Sequence, residues 1–151
     1  MVIRQIYSHK KAYLDLLLLG DEQEDMIDRY LDQGELFVLE ANGTEAAECV
    51  VTQVGGGIYE IKNIAVLPPY QRRGFGRALV DFLTRHYPDC TALWVGTGES
   101  PATLDFYHAL GFQEFRRVKD FFLQNYDHPI LEGGVQLKDM VYLKREGPAS
   151  S

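Results

Sequence analysis

The sequence predicts a single domain of mixed α/β class, built on a central, largely antiparallel sheet. Short apolar runs rich in β-branched residues alternate with stretches in which apolar residues recur at helical spacing, and this order of elements favours that class. A chain of 151 residues suits one domain, which at this size buries roughly 68–70% of its extended surface. The composition, 46% hydrophobic and 25% charged, is ordinary for a globular protein.

The N-terminal segment is predicted to hold one strand and two helices. Residues 2–7 form the strand, and Ser8 is placed to cap a helix that stops at Gly20. Asp21 and Glu24 have the spacing of a capping box, which predicts where the second helix begins.

Three strands are predicted next. Residues 36–39 and 47–54 are the first two, and Asn42-Gly43 between them is a tight-turn signal. The glycine triplet at 55–57 then turns the chain into a strand at 59–66, which is rich in β-branched and apolar residues.

The C-terminal half continues the alternation. A short apolar strand at 91–95 is followed by Ser100 and a proline, a hydroxyl N-cap and first-turn proline that predict a helix ending at Gly111. Strands near 112–123 and 140–143 are expected to close the sheet. The folded domain is therefore placed at residues 1–146.

The tail at 147–151 is small and polar, and is predicted to be disordered.

Several features bear on the cellular compartment of the protein. Cys49 and Cys90 lack metal-type or redox-type spacing and are predicted to be reduced, buried thiols. No leader pattern opens the chain, and the leucine run at 16–19 is far shorter than the ~20 residues that span a bilayer. We expect a cytoplasmic protein with no membrane partner.

The charge balance narrows the class of partner. A formal net charge of −7 and a pI near 5.0 argue against a general nucleic-acid binder, which normally carries a basic face. An acidic chain fits a cationic partner better, although acidity also serves solubility.

The most informative segment is Gln71-Arg72-Arg73-Gly74-Phe75-Gly76, which lies between the strand at 59–66 and an amphipathic helix. A glycine-bearing loop that opens a helix directs unpaired backbone N–H groups toward one point, where an anion can bind. Arg72, Arg73 and Arg77 add positive charge there. The segment therefore predicts a binding site for a phosphorylated ligand.

The spacing of the glycines and histidines does not fit the common nucleotide, hydrolase or metal motifs. The chain has no Walker-type loop and no nucleophile elbow. A dinucleotide fingerprint starting at Gly74 would need a third glycine where Leu79 stands, and one starting at Gly96 meets Pro101. The histidines lack clustered partners, so no metal site is predicted.

A second motif, some thirty residues downstream, narrows the interpretation of the loop to one family of proteins. Tyr107-His108-Ala109-Leu110-Gly111-Phe112 closes a helix that follows a strand. Together with Asn63-Ile64-Ala65-Val66 and the loop at 71–77, it resembles the GNAT superfamily of N-acetyltransferases, in its small bacterial type. The resemblance is strong over residues 35–115 and holds in outline elsewhere.

The resemblance implies a GNAT-like fold whose sheet is splayed between the strands at 59–66 and 91–95. It implies acetyl-CoA as the co-substrate, with the loop holding the pyrophosphate and the strand edge the pantetheine arm. Paired subunits are common in such proteins, so a homodimer is possible. The implied cofactor-binding residues are Ile64, Ala65, Val66, Gln71, Arg72, Arg73, Gly74, Phe75, Gly76, Arg77 and Ser100.

The resemblance also implies catalytic roles. Tyr107 occupies the position of a general acid that protonates the departing thiolate, and Glu60 is the leading candidate for the base, with Glu99 and Tyr59 as lesser ones. The alternatives for Tyr107 and Glu60 are a core tyrosine and a solvated strand carboxylate. Ser100 stands where many relatives carry a cofactor-binding asparagine, and its side chain has a shorter reach.

The predicted function is direct transfer of an acetyl group from acetyl-CoA to a primary amine, most simply of a small cationic molecule. The alternatives are a protein N-terminal or lysine acetyltransferase, and a catalytically silent CoA-binding sensor or scaffold. Phe122 and Tyr126 are expected either to pack in the core or to stack on the acceptor.

Overall fold

The computed structural model describes residues 1–150, and within them the chain forms nine strands and five α-helices. The strands are β1 (Val2–Ile6), β2 (Glu35–Ala41), β3 (Thr44–Gly55), β4 (Ile58–Val66), β5 (Ala92–Gly98), β6 (Gln113–Val118), β7 (Leu131–Glu132), β8 (Val135–Gln136) and β9 (Met140–Glu146). The helices are α1 (Leu14–Gly20), α2 (Glu24–Ile27), α3 (Phe75–His86), α4 (Pro101–Ala109) and α5 (Phe121–Asn125). Short 3₁₀ turns at Lys10–Tyr13 and Pro68–Tyr70 precede α1 and α3.

Seven strands form one sheet in the order β1-β2-β3-β4-β5-β9-β6. Every neighbouring pair is antiparallel except β4 and β5, which run parallel. The mixed, largely antiparallel architecture is therefore as the sequence predicts. Strands β7 and β8 form a separate hairpin.

The parallel pair separates part of the way along. Residues 58–61 of β4 pair with residues 92–95 of β5, but β4 continues to Val66 and β5 to Gly98 without further pairing between them. The sheet is thus open over the second half of both strands, which is the predicted splay. One edge of β4 is left available to another molecule.

A β-bulge in β4 lies at the point where the strands part. On β3, Val50 and Val51 are consecutive, yet their partners on β4 are Asn63 and Ile61, so Lys62 is the extra residue. A bulge of this kind reverses which face the following side chains take. Ile61 belongs to one core, whereas Asn63 turns to the opposite side of the sheet.

Each face of the sheet carries its own core. The larger core lies under α3, whose Leu79, Val80 and Leu83 are fully buried, as its apolar spacing predicts. The smaller core lies under α1 and α2 and includes Leu17, Ile27, Tyr30, Leu31, Leu36, Val38 and Val50. The opening between β4 and β5 connects the two faces of the sheet.

Some local predictions are wrong. Asp21 does not cap α2, because the N-cap is Gln23 and no side chain caps that helix. The strand predicted over 112–123 ends at Val118, and the short helix α5 follows it. Ser100 is the N-cap of α4, but its hydroxyl contacts the side chain of Thr103 rather than a helix N–H.

The domain boundary at residue 146 and the disorder of 147–151 stay predictions. Within that tail, the N–H groups of Gly147 and Ala149 donate to the carbonyls of Thr91 and Cys90, and Ser151 lies outside the described residues. Among residues 1–150, no helix combines the length and apolar character needed to cross a membrane.

Candidate active site

A cavity of about 900 Å³ opens where β4 and β5 part. Its volume lies within the range of about 300–1,000 Å³ that small-molecule and cofactor sites occupy. The loop before α3 and the α4 helix form one end, with the β7–β8 hairpin joined to α4 by the hydrogen bond from Thr103 to Glu132. The turn after α1 and the α5 segment form the other end. The cavity thus passes through the splay from one side of the sheet to the other.

The loop at 71–76 folds so that backbone donors face outward at the start of α3. Arg72 and Gly74 adopt left-handed backbone angles, with φ of 63° and 82°. Ala78 donates to the carbonyl of Gly74, so the N–H groups of Phe75, Gly76 and Arg77 precede the first helical hydrogen bond. Free N–H groups at a helix N-terminus bind anions.

Gly76 allows close approach of α3 and α4. A β-carbon built on Gly76 would lie 2.8 Å from Cζ of Phe106, so a larger residue would displace that ring. Arg72 and Arg77 line the cavity, and Arg77 also contacts the carbonyl of Ala109 at 3.4 Å. Free backbone N–H donors and two guanidinium groups on the cavity wall fit a phosphorylated ligand.

The open edge of β4 forms the wall beside this loop. Ile64, Ala65 and Val66 all line the cavity, beyond the last residue that pairs with β5. Gln71 ties the loop to the strand, because its side-chain amide donates to the carbonyl of Val66 at 3.1 Å. An extended ligand can therefore hydrogen-bond to β4 and reach the loop without leaving the cavity.

Tyr107 lines the same cavity from α4. It is only 4% exposed and packs edge-on against the rings of Phe106 and Phe112. Burial, with the nearby charge of Glu132, raises the pKa of the Tyr107 phenol, so it holds its proton at neutral pH. Its hydroxyl has no hydrogen-bond partner within residues 1–150.

Three of the predicted site residues are not on the cavity wall. The carboxylate of Glu60 contacts the ammonium of Lys62 at 3.2 Å, and it is Lys62 that lines the cavity. Arg73 lies over the ring of Tyr70, and Ser100 is buried at the start of α4. Their roles stay predictions.

The lesser candidates for the base are engaged elsewhere. Glu99 pairs with Arg117 at 2.7 Å on the surface, and this hydrogen-bonded ion pair lowers the pKa of the Glu99 carboxyl. Tyr59 donates to Asp89 at 3.0 Å within the larger core. Neither lines the cavity.

Both cysteines are buried away from the cavity wall, at 0% and 1% exposure for Cys49 and Cys90. Burial raises the pKa of each thiol above its ordinary value. A protonated, buried thiol is a poor nucleophile, so neither residue has the environment of an acyl carrier. No group of three or more potential ligands arranged to hold a metal occurs in the described part of the chain.

Sequence reasoning missed the polar group at the far end of the cavity. Asp21 accepts hydrogen bonds from the hydroxyls of Tyr30 at 3.0 Å and Tyr126 at 2.6 Å. Tyr30 in turn accepts a hydrogen bond from the amide of Asn63 at 3.0 Å. The sequence signals were Asp21, whose spacing to Glu24 predicted a helix cap, and the aromatic pair Phe122 and Tyr126, and nothing local connects the two.

Comparison with known proteins decides the family. Residues 32–114 match a family model described as an acetyltransferase (GNAT) domain. The chain belongs to the GNAT family of acetyltransferases. The N-acetyltransferase YvbK of Bacillus subtilis is 38% identical to it over 132 residues, which are 85% of each chain.

Two further relatives bear on donor and acceptor. A GNAT family acetyltransferase from Elizabethkingia anophelis, crystallised with acetyl-CoA bound, matches with a TM-score of 0.88 and 34% identity, over 96% of this chain and 97% of its own. The ribosomal protein bS18-alanine N-acetyltransferase of Escherichia coli K12 is 39% identical over 90 residues, 58% of this chain and 57% of its own. For this GNAT acetyltransferase, the predicted family, fold and transferase activity are confirmed.

Proposed function

We propose that this GNAT acetyltransferase transfers an acetyl group from acetyl-CoA directly to the primary amine of a small cationic molecule. The observation that carries the proposal is the continuous cavity through the splay. It joins the free N–H groups at the start of α3 to Tyr107 and then to the carboxylate of Asp21.

The loop before α3 and the open edge of β4 bind the donor, acetyl-CoA. The N–H groups of Phe75, Gly76 and Arg77, with the charge of Arg72 and Arg77, hold the pyrophosphate. Backbone groups of residues 64–66 pair with the pantetheine arm. Acetyl-CoA supplies an activated thioester, and a backbone N–H near Val66 polarises its carbonyl as negative charge develops on the oxygen.

Tyr107 protonates the leaving thiolate. Its raised pKa keeps the phenol protonated until the thiolate leaves. The hydroxyl has no competing hydrogen-bond partner among the described residues. A positioned acid of this kind contributes about 10²–10⁴-fold to the rate. The buried state of both cysteines favours direct attack by the amine over a route through an acyl-enzyme.

The acceptor must reach the thioester as a neutral amine. A lysine-like amine with a pKa of ~10.4 costs about 4–5 kcal/mol to deprotonate at neutral pH. Glu60 stays the candidate for the base, and because its carboxylate lies behind Lys62, the proton would reach it through solvent. Comparing Glu60→Gln with the wild type tests this role, since loss of a general base should lower kcat about 10²–10⁴-fold and leave the KM for acetyl-CoA within threefold.

The test of the function is turnover. The wild-type protein is incubated with acetyl-CoA and a panel of primary amines, and both thiol release and the mass of each amine are followed. We expect amine-dependent thiol release with one acetyl group added. Tight CoA binding without acetylation of any amine or peptide would instead favour the silent sensor or scaffold.

A second candidate is acetylation of a protein N-terminus, which the similarity to the bS18-alanine N-acetyltransferase favours. Peptides that begin with alanine belong in the same assay for that reason. Faster turnover with these peptides than with any small amine would replace the small-molecule assignment but keep the amine chemistry.

A further inference from the structure

At the end of the cavity away from α3, the carboxylate of Asp21 shares the wall with apolar and aromatic side chains. We propose that Asp21 binds the amino group of the acceptor as it enters in the charged form, before that group loses its proton to attack the thioester, and that the acceptor carries this group on an apolar or aromatic body. This assignment rests on the proposed function, because it takes the acceptor to be an amine.

Asp21 is oriented by its surroundings. The hydroxyls of Tyr30 and Tyr126 donate to its two different oxygens. A carboxylate offers about four lone-pair sites, so roughly two are left and the carboxylate keeps a binding site for a ligand. The tyrosines fix the direction of that site, since Tyr30 is itself held by Asn63 and Tyr126 stacks on Phe122.

The backbone at Asp21 lies directly against β4. A β-carbon built on the preceding Gly20 would be 3.0 Å from the carbonyl oxygen of Ile64. Ile64 belongs to the strand edge proposed to hold the donor. An amino group bound by Asp21 is therefore next to the strand along which the thioester would lie.

The charges at this end of the cavity favour a cation. Asp21 and Glu22 line it with a single basic residue, Lys62, whose ammonium already contacts Glu60. An ammonium ion compensates the buried part of this negative charge, whereas a carboxylate would be repelled. Tyr107, 4% exposed and without a hydrogen-bond partner among the described residues, lies in the wall between this end and the loop.

The rest of the wall is apolar. Phe122, Ile130 and Leu137 form a small buried cluster, against which Tyr126 and Met140 pack. A polyamine or an aminoglycoside would leave many polar groups unpaired against this surface, which is costly. One ammonium on an aliphatic or aromatic body matches both the single oriented carboxylate and the apolar cluster.

A pair of probes that differ only in charge tests the proposal. The CoA-saturated protein is titrated by calorimetry with 2-phenylethylamine and, separately, with the uncharged 2-phenylethanol. We expect the wild type to bind the amine at least tenfold more tightly than the alcohol. Asp21→Asn, which keeps the shape, should bind the two within a factor of three of each other.

The control is Asp25→Asn, which removes an equal charge from an exposed residue off the cavity wall and should keep the preference. Equal binding of both probes by the wild type overturns the proposal, and so does an unchanged preference in Asp21→Asn. If the wild type prefers the amine but acetylates none, the proposed function fails and the binding assignment stands. If the wild type acetylates amines but binds the amine and the alcohol equally, the proposed function stands and the binding role of Asp21 is wrong.

Discussion

Gly20 at the end of α1 lies so close to Asn63 of β4 that a β-carbon on Gly20 would be 2.1 Å from the Oδ1 atom of Asn63. Asn63 cannot move aside, because its amide nitrogen donates to the carbonyl of Leu17 and to the hydroxyl of Tyr30. The glycine is therefore required for close packing. Gly20→Ala is expected to lower the free energy of unfolding by about 1–3 kcal/mol, the usual cost of overpacking.

Urea denaturation measures this change. The double variant with Asn63→Ala provides the control, since removing the amide makes room for the added methyl group. The two substitutions should then show a coupling of at least ~0.5 kcal/mol. Additive effects would mean that Gly20 and Asn63 do not constrain each other.

Tyr107→Phe is expected to lower kcat about 10²–10³-fold while leaving the KM for acetyl-CoA within threefold. The phenyl ring keeps the packing against Phe106 and Phe112, so only the proton donor is lost. Steady-state kinetics with the best amine of the panel gives the result. Tyr142→Phe, which removes a hydroxyl outside the cavity wall, is the matched control. A variant with full kcat would show that another group protonates the thiolate.

Arg77→Gln is expected to weaken CoA binding roughly fivefold, as the loss of about 1 kcal/mol of interaction at a helix N-terminus implies. The difference from the wild type should shrink as salt is added, because screening acts on the lost charge. Calorimetric titration at two ionic strengths measures both effects. Arg85→Gln, at the other end of α3, should bind CoA as the wild type does, and an equal loss there would argue against a local contact.

Glu48 predicts a pH dependence of stability. Its carboxyl is fully buried with both oxygens unpartnered among residues 1–150, and desolvation raises its pKa well above the ordinary value. As the pH rises above the unfolded-state pKa of ~4.3, the unfolded chain loses the proton while the folded protein keeps it. Unfolding is then favoured by up to about 1.4 kcal/mol per pH unit, until the folded-state pKa is reached.

Glu48→Gln stays neutral at every pH and escapes this penalty. Its free energy of unfolding, relative to that of the wild type, should therefore increase between pH 5 and pH 7. Glu45→Gln, at an exposed residue paired with Arg4, should show no such increase. A difference for Glu48→Gln that does not change with pH would mean that Glu48 is ionised in the folded protein.

The elements that the sequence predicts best are those whose residues are contiguous. The loop at 71–76 and the start of α3 follow from glycines and an apolar period within about fifteen residues, and the structure places them as expected. The strand at 59–66 is likewise local, but its bulge at Lys62 is not. Which residue of a strand is extra depends on the partner strand, so the face taken by Asn63 could not be predicted.

Asp21 is a second residue whose role could not be predicted from its neighbours in the sequence. Its spacing to Glu24 predicts a helix cap, yet the residue instead accepts hydrogen bonds from Tyr30 and from Tyr126, which lies 105 positions away. Glu60 likewise contacts Lys62 and does not line the cavity, which its position in the sequence alone does not show.

By itself, the sequence determined the fold class, the glycine loop that opens α3 and the helix that carries Tyr107, since each depends on short-range backbone geometry and on side chains close along the chain. The end of the cavity around Asp21 was decided only by the tertiary structure. There the splay of β4 from β5, the bulge and the docking of α5 bring together groups from three distant segments. Their chemistry exists only when long-range packing holds a carboxylate, two phenols and an apolar wall around one cavity.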